Sequence, residues 1–224
     1  MGVSREQAAE NRRAIVAAAE KLFRERGVDA VGLAELMKAA GFTQGGFYNH
    51  FKSKDALVAA VMDKALEAGG AMAASVIDDA KSVGADVLEQ HIRWYLSPEH
   101  RANIDAGCPL SGFAGDARRL DDEARAAYAR GLATYLERLA AVIDEREGSA
   151  AGATAETSVT GRASRRAEAI ALLSQMVGTL VLSRAVADVA PALADEILGE
   201  GRQHLLDAGP AQHRPHARAR SRKS

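Results

Sequence analysis

The segment from Val31 to Lys54, VGLAELMKAAGFTQGGFYNHFKSK, constrains the fold of this chain more than any other. Leu33, Leu36, Met37 and Ala40 recur at three- and four-residue spacing, so they line one face of a short helix. Gly41 supplies the left-handed backbone that ends it. Phe42 follows as a core plug, and Thr43 is a preferred N-cap for what comes next. The following segment, Gln44 to Phe51, carries no acid or lysine and offers amide, small, aromatic and imidazole side chains. A helix, a glycine turn and a second helix make the helix-turn-helix plan, whose second helix enters the DNA major groove.

The flanks extend this pattern. Ile15, Ala18, Ala19, Leu22 and Phe23 give a first helix from near Arg5 to Arg26, stopped by Gly27. Ser53 caps a long later helix, with Asp55 in its first turn and an apolar face of Leu57, Val58, Val61, Met62, Ala65 and Leu66. Ile15, Ala18, Ala19, Leu22, Phe23, Gly27, Leu36, Ala40, Gly41, Phe47, Tyr48, His50, Phe51, Lys54, Leu57 and Val61 make the span from about Arg12 to Leu66 resemble the N-terminal domain of the TetR family of transcriptional regulators. The run FYNHFKSKDAL is the part closest to that family's pattern. The remainder of the chain matches it only in helical character and length. The resemblance implies a ligand-responsive DNA-binding regulator, most often a homodimeric repressor released from a palindromic operator by a small molecule. It also implies backbone-phosphate contacts for Tyr48 and Lys54. Two departures stand out: Gly32 where a Thr or Ser usually caps the second helix, and the pair Gly45-Gly46 inside the reading helix.

Residue chemistry assigns the expected DNA contacts as Thr43, Gln44, Gly45, Tyr48, Asn49, His50 and Lys54. The Gln44 amide matches adenine N6 and N7. Asn49 and His50 suit a base edge or a phosphate, although His50 is also placed to pack at the end of the short helix. Thr43, Tyr48 and Lys54 suit phosphate oxygens, which fix register. Gly45 allows the backbone close to the bases.

Alanine is abundant, aromatics make up 4% and prolines number five, a mixture that favours helix, and no strand-like alternation occurs. The expected fold is therefore all-α: a three-helix helix-turn-helix domain over residues 5–66, with the motif at about 32–51, and a larger helical ligand-binding and dimerisation domain over 67–208. Residues 209–224 read as a basic, disordered tail. Gly69-Gly70 is expected to kink or loosen the long helix that begins at Ser53. Further helices are expected over about 86–96, 109–117, 121–146, 163–189 and 192–206, with a mobile loop over 147–162.

Charge is uneven. Residues 1–56 hold nine Lys/Arg against seven Asp/Glu, residues 57–208 fifteen against twenty-three, and residues 209–224 five against none. An acidic body with less acidic ends suits a molecule that meets phosphate with part of its surface. The single cysteine excludes an intrachain disulfide and fits a reducing cytoplasm. The polar N-terminus has no apolar signal region, and no uninterrupted 18-residue apolar run suggests a membrane partner.

Trp94, Tyr95, Cys108, Phe113, Tyr128, Tyr135 and Met176 are the expected lining of an effector pocket, the effector being hydrophobic or electrophilic. Cys108 lies at the start of a short helix, a setting that favours reaction with electrophiles, while an apolar packing role is the alternative. The dimer interface is expected on the last two helices, through Ile170, Met176, Val177, Val181, Leu193, Ile197 and Leu205. No cofactor and no metal are expected: glycine-rich phosphate loops and HExxH are lacking, and Glu200 with His204 reads as a surface pair. Two other functions stay open, a helical ligand-binding dimer without DNA function and a cysteine-dependent enzyme pairing Cys108 with His91 or His100.

Overall fold

The computed structural model describes residues 4–151 and 159–208. Among these, every regular element is a helix. α1 spans Arg5–Arg26, α2 Leu33–Ala39, α3 Lys54–Ser82, α4 Val87–Tyr95, α5 Pro98–Ala102, α6 Pro109–Gly112, α7 Asp122–Ala151, α8 Val159–Val186 and α9 Pro191–Ala208. Short 3-10 turns occupy Gln44–Asn49 and Ala117–Arg119.

Local chemistry sets most of the boundaries. Ser4, Ser53, Asp86 and Ser97 each accept a backbone N–H at the start of their helices, and Asp121 accepts from Ala124 at 3.0 Å. Pro98, Pro109 and Pro191 stand in first turns, where a missing N–H costs nothing. Gly41 takes φ +82° after α2, with Gly41 N bonded to Lys38 O and Phe42 N to Met37 O. That pair of bonds is a Schellman closure.

Three expectations need correction. α3 runs unbroken through Gly69-Gly70. The pair is used for close packing, since a Cβ on Gly69 would lie 2.5 Å from Pro109 Cδ and one on Gly70 2.8 Å from Arg138 Nη1. The expected loop over 147–162 is helical at both ends, because α7 continues to Ala151 and α8 starts at Val159. The sequence there tolerates one glycine at each end, Gly148 in α7 and Gly161 in α8, at about 1 kcal/mol apiece in a helix; residues 152–158 lie outside the described residues, as does the tail 209–224. The reading segment Gln44–Asn49 forms a 3-10 helix. Its glycine pair allows the tighter winding, with Gly46 N bonded to Thr43 O at 3.0 Å.

Two apolar clusters organise the molecule. The first joins Ile15, Ala19, Phe23, Leu36, Met37, Phe47, Phe51, Leu57 and Val61, and it also contains Phe113, Leu120, Ala124 and Ala127. The head and the body therefore share packing. The second joins α4, α6, α7, α8 and α9 through Tyr95, Leu96, Leu110, Ile143, Met176 and Leu198. The stretch Gly161–Val186 of α8 is long and apolar enough, by length and composition, to cross a membrane. Here it packs on α7 and α9, and its Ser183 hydroxyl donates to Ala194 O at 2.7 Å.

Candidate nucleic-acid interface and effector pocket

The head presents the 3-10 segment on the outside of α2. Phe47 points inward, fully buried, and stacks on Phe51 at 5.8 Å. Thr43, Gln44, Gly45, Tyr48 and Asn49 around it are exposed, with Tyr48 69% exposed. A Cβ on Gly45 would meet nothing within 4 Å, so space inside the head does not require glycine there. Thr43 has the extended backbone of an N-cap, but its hydroxyl makes no capping bond and stays free. His50 is half-buried, its ring 6.3 Å from Phe42.

Lys54 is arranged differently from the expectation. Its ammonium turns inward, donates to Val28 O at 2.7 Å and sits 5.9 Å from the Phe23 ring. It thereby satisfies a carbonyl just beyond α1, which sequence spacing did not reveal. Two cations not singled out in the sequence lie nearby. The Arg12 guanidinium stacks over Phe51 at 4.5 Å, and Lys52 is exposed between the 3-10 segment and α3. The sequence held a signal for Arg12, because it continues the Ile15–Ala19 face of α1 one turn toward the N-terminus.

A cavity of about 280 Å³ opens between α3, α6 and α7. Asp63, Leu66, Glu67, Gly69 and Gly70 come from α3, and Cys108, Pro109 and Leu110 from α6 and its cap. Ala127, Arg130, Gly131, Thr134, Tyr135 and Arg138 of α7 close the far wall. Of the residues expected to line a pocket, Cys108 and Tyr135 are here. Trp94 lies in a separate open groove against α3, beside Val76, Ala80 and Val83. Tyr95, Phe113 and Met176 are fully buried in the two cores, where large apolar groups gain most from leaving water. Tyr128 is half-buried and donates from its hydroxyl to Leu110 O at 2.7 Å, which pins α6 to α7.

The surroundings of Cys108 are aromatic and closely packed. Burial pushes the Tyr128 phenol up to about 12, with the neighbouring thiol adding to the effect, and raises Tyr135 and Tyr95 well above the ordinary phenol value for the same reason. The Tyr95 hydroxyl and His91 Nδ1 are buried with no hydrogen-bond partner. α6 is a single turn, so it offers the thiol little of the field of a long helix. The proposed thiol–imidazole pairs are not assembled. His100 bonds backbone through both ring nitrogens, Nδ1 to Tyr95 O and Nε2 to the N–H of Cys108. His91 Nε2 meets Tyr135 Oη at 2.7 Å. No group of three metal-binding side chains occurs among the described residues.

At the expected interface, Met176 is fully buried and Leu205 7% exposed within one chain. Both belong to the second core and so are unavailable to another copy. Ile170 and Leu193 are exposed, Val177, Val181 and Ile197 half-buried. Leu182 of α8, at 60% exposure, also faces away from the chain's own core.

Residues 15–61 match the family described as bacterial regulatory proteins, tetR family. The chain is 43% identical over 60 residues to the HTH-type transcriptional regulator TtgR of Pseudomonas putida, covering 27% of this chain and 29% of that protein. An uncharacterized HTH-type transcriptional regulator of Mycobacterium tuberculosis is 26% identical over 183 residues, 80% of this chain and 87% of the relative. Among solved structures, the reduced form of Escherichia coli NemR superposes with a TM-score of 0.66 at 19% identity, covering 88% of this chain and 97% of that one.

Proposed function

We propose, from the match of residues 15–61 to the tetR family and the likeness to its regulators, that the chain is a homodimeric, cytoplasmic transcriptional repressor, released from a palindromic operator by a small molecule. The observation that carries the reading is the exposed surface Thr43–Asn49, held out by buried Phe47 and free of carboxylates. Gln44 reads a base edge, Gly45 lets the backbone approach, and Thr43, Tyr48 and Asn49 hold phosphate or base. Arg12 and Lys52 supply charge at the rim, and Lys54 acts mainly through the head's structure. His50 serves the same surface from its edge.

One such segment touches few bases, and two-fold symmetry doubles the contact. The partner surface in this reading is the face of α8 and α9 bearing Ile170, Val177, Val181, Leu182, Leu193 and Ile197. An added Cβ on Gly178 meets nothing within 4 Å, so the partner helix has room to come close. The effector site is the cavity between α3, α6 and α7, where an apolar or electrophilic molecule would meet Tyr135 and the Cys108 thiol. Selection from a random DNA pool tests the first step. Enrichment of an inverted repeat is expected, and a pool with no enriched sequence would remove the DNA-binding reading in favour of a ligand-binding dimer.

A further inference from the structure

The strap from Gly107 to Gly112, one wall of the cavity, is gripped from two sides by arginines. Arg24 of α1 donates from Nη1 to Gly107 O at 3.0 Å. Its Nε and Nη2 donate to Glu20 Oε1 at 3.2 and 3.0 Å, and the other Glu20 oxygen accepts from Lys64 of α3 at 3.0 Å. The Arg24 side chain is 2% exposed and lies over the Phe113 ring at 5.1 Å. From the other side Arg184 of α8 donates to Ser111 Oγ in the strap at 3.3 Å, and to His100 O and Arg101 O of the preceding α5 at 2.6 and 3.0 Å.

Glycines at both ends of the strap make these approaches possible. A Cβ on Gly107 would fall 2.5 Å from Asn103 O, and one on Gly112 2.9 Å from Arg24 Nη1. Pro109 stands against Gly69 of α3, so a molecule filling the cavity presses on the strap two residues from the carbonyl that Arg24 holds. A charged, buried hydrogen bond is short-ranged and costly to leave unmade. Movement of Gly107 O must therefore either carry Arg24 and α1 with it or release them.

We propose that Arg24 is a positioning residue that passes the displacement of the Gly107–Gly112 strap to α1 and so to the DNA-reading head. The proposal rests on the effector-responsive reading above and names the route within it. Two glycine variants provide a displacement without an effector. Gly69→Ala pushes Pro109, and Gly112→Ala pushes the Arg24 guanidinium. Amide hydrogen exchange of the full chain then compares each variant alone and combined with Arg24→Met. Peptides from residues 20–28 and 33–51 report the head, and peptides from α9 report whether the protein is folded. Each glycine variant alone should speed exchange in the head by about tenfold, the loss of one charged hydrogen bond, while α9 stays protected. On top of Arg24→Met, which speeds the head by itself, neither should add further. Full additive effects in the combined variants, or a head that ignores both glycine changes, would overturn the proposal. The two variants act at different atoms, so a folding failure in one leaves the other decisive. No DNA enters the experiment, so its outcome is separable from that of the sequence selection.

Discussion

Lys54 carries a conflict between what its neighbours in sequence suggest and what its neighbours in space require. Resemblance assigned it to phosphate, but its ammonium bonds Val28 O, 26 residues upstream. Lys54→Met should therefore cost about 1.5–3 kcal/mol of stability, the range for a hydrogen bond from a charged group, and leave the salt dependence of DNA binding nearly unchanged. Arg12→Ala should do the opposite, flattening the slope of log K against log salt by about one. Thermal unfolding and anisotropy titrations on the selected operator separate the two, and exchanged outcomes would return Lys54 to the phosphate. Gln44→Ala should lose about 1–3 kcal/mol of discrimination at one base position, read by competition among operator variants. His91 adds a pH signature. Burial lowers its pKa to about 4, with His100 nearby lowering it too. The unfolded chain, with His91 near 6.5, then binds the proton more readily than the folded one. Stability from this group is full above about pH 6.5 and falls steadily from there toward pH 4, by on the order of 3 kcal/mol. His91→Gln should weaken that acid dependence in melts between pH 4 and 7.

At the scale of single helices, what was legible was what chemistry keeps local. Ser53 and Gly41, legible as a cap and a stop, mark their boundaries through atoms within a few residues, and Asp86 and Asp121 do the same at the starts of α4 and α7. The expected kink at Gly69-Gly70 does not form, because the reason for the pair lies across the fold, in Pro109 and Arg138. The 3-10 winding of the reading segment was missed for a different reason: the pattern fixes which residues are buried, not whether each turn takes three or 3.6 residues. α8 shows the same split. Its apolar excess was visible, but only the structure separates Met176, which serves the chain's own core, from Leu182, which faces outward. Leu182→Glu should leave the folded monomer nearly intact and lower the association constant of the dimer, since it puts a carboxylate into an apolar contact. Sedimentation showing an undisturbed dimer would place the interface elsewhere.

For the molecule as a whole, the sequence conveyed the all-helical class and the head, while the joining of head to body was hidden. Phe113 is fully buried in the same cluster as Phe23, Phe47 and Leu57, although it lies 47 residues past Leu66 in the sequence. Aromatic spacing suggested a pocket-lining role, but burial makes it a shared core residue. Phe113→Ala should cost about 3–5 kcal/mol and melt head and body together in calorimetry; a head that keeps its own transition would contradict the shared core. In the proposed regulation, that continuity would carry pressure at the cavity toward the reading surface through packed atoms. The account stands most directly on one measurement, footprinting of the purified protein on the DNA upstream of its own gene. It predicts two protected blocks related by two-fold symmetry, with centres about one helical turn or a multiple of it apart, 10–10.5 base pairs per turn. Both should be lost together in Leu182→Glu. A single protected block, or protection that survives in a monomeric variant, would contradict it.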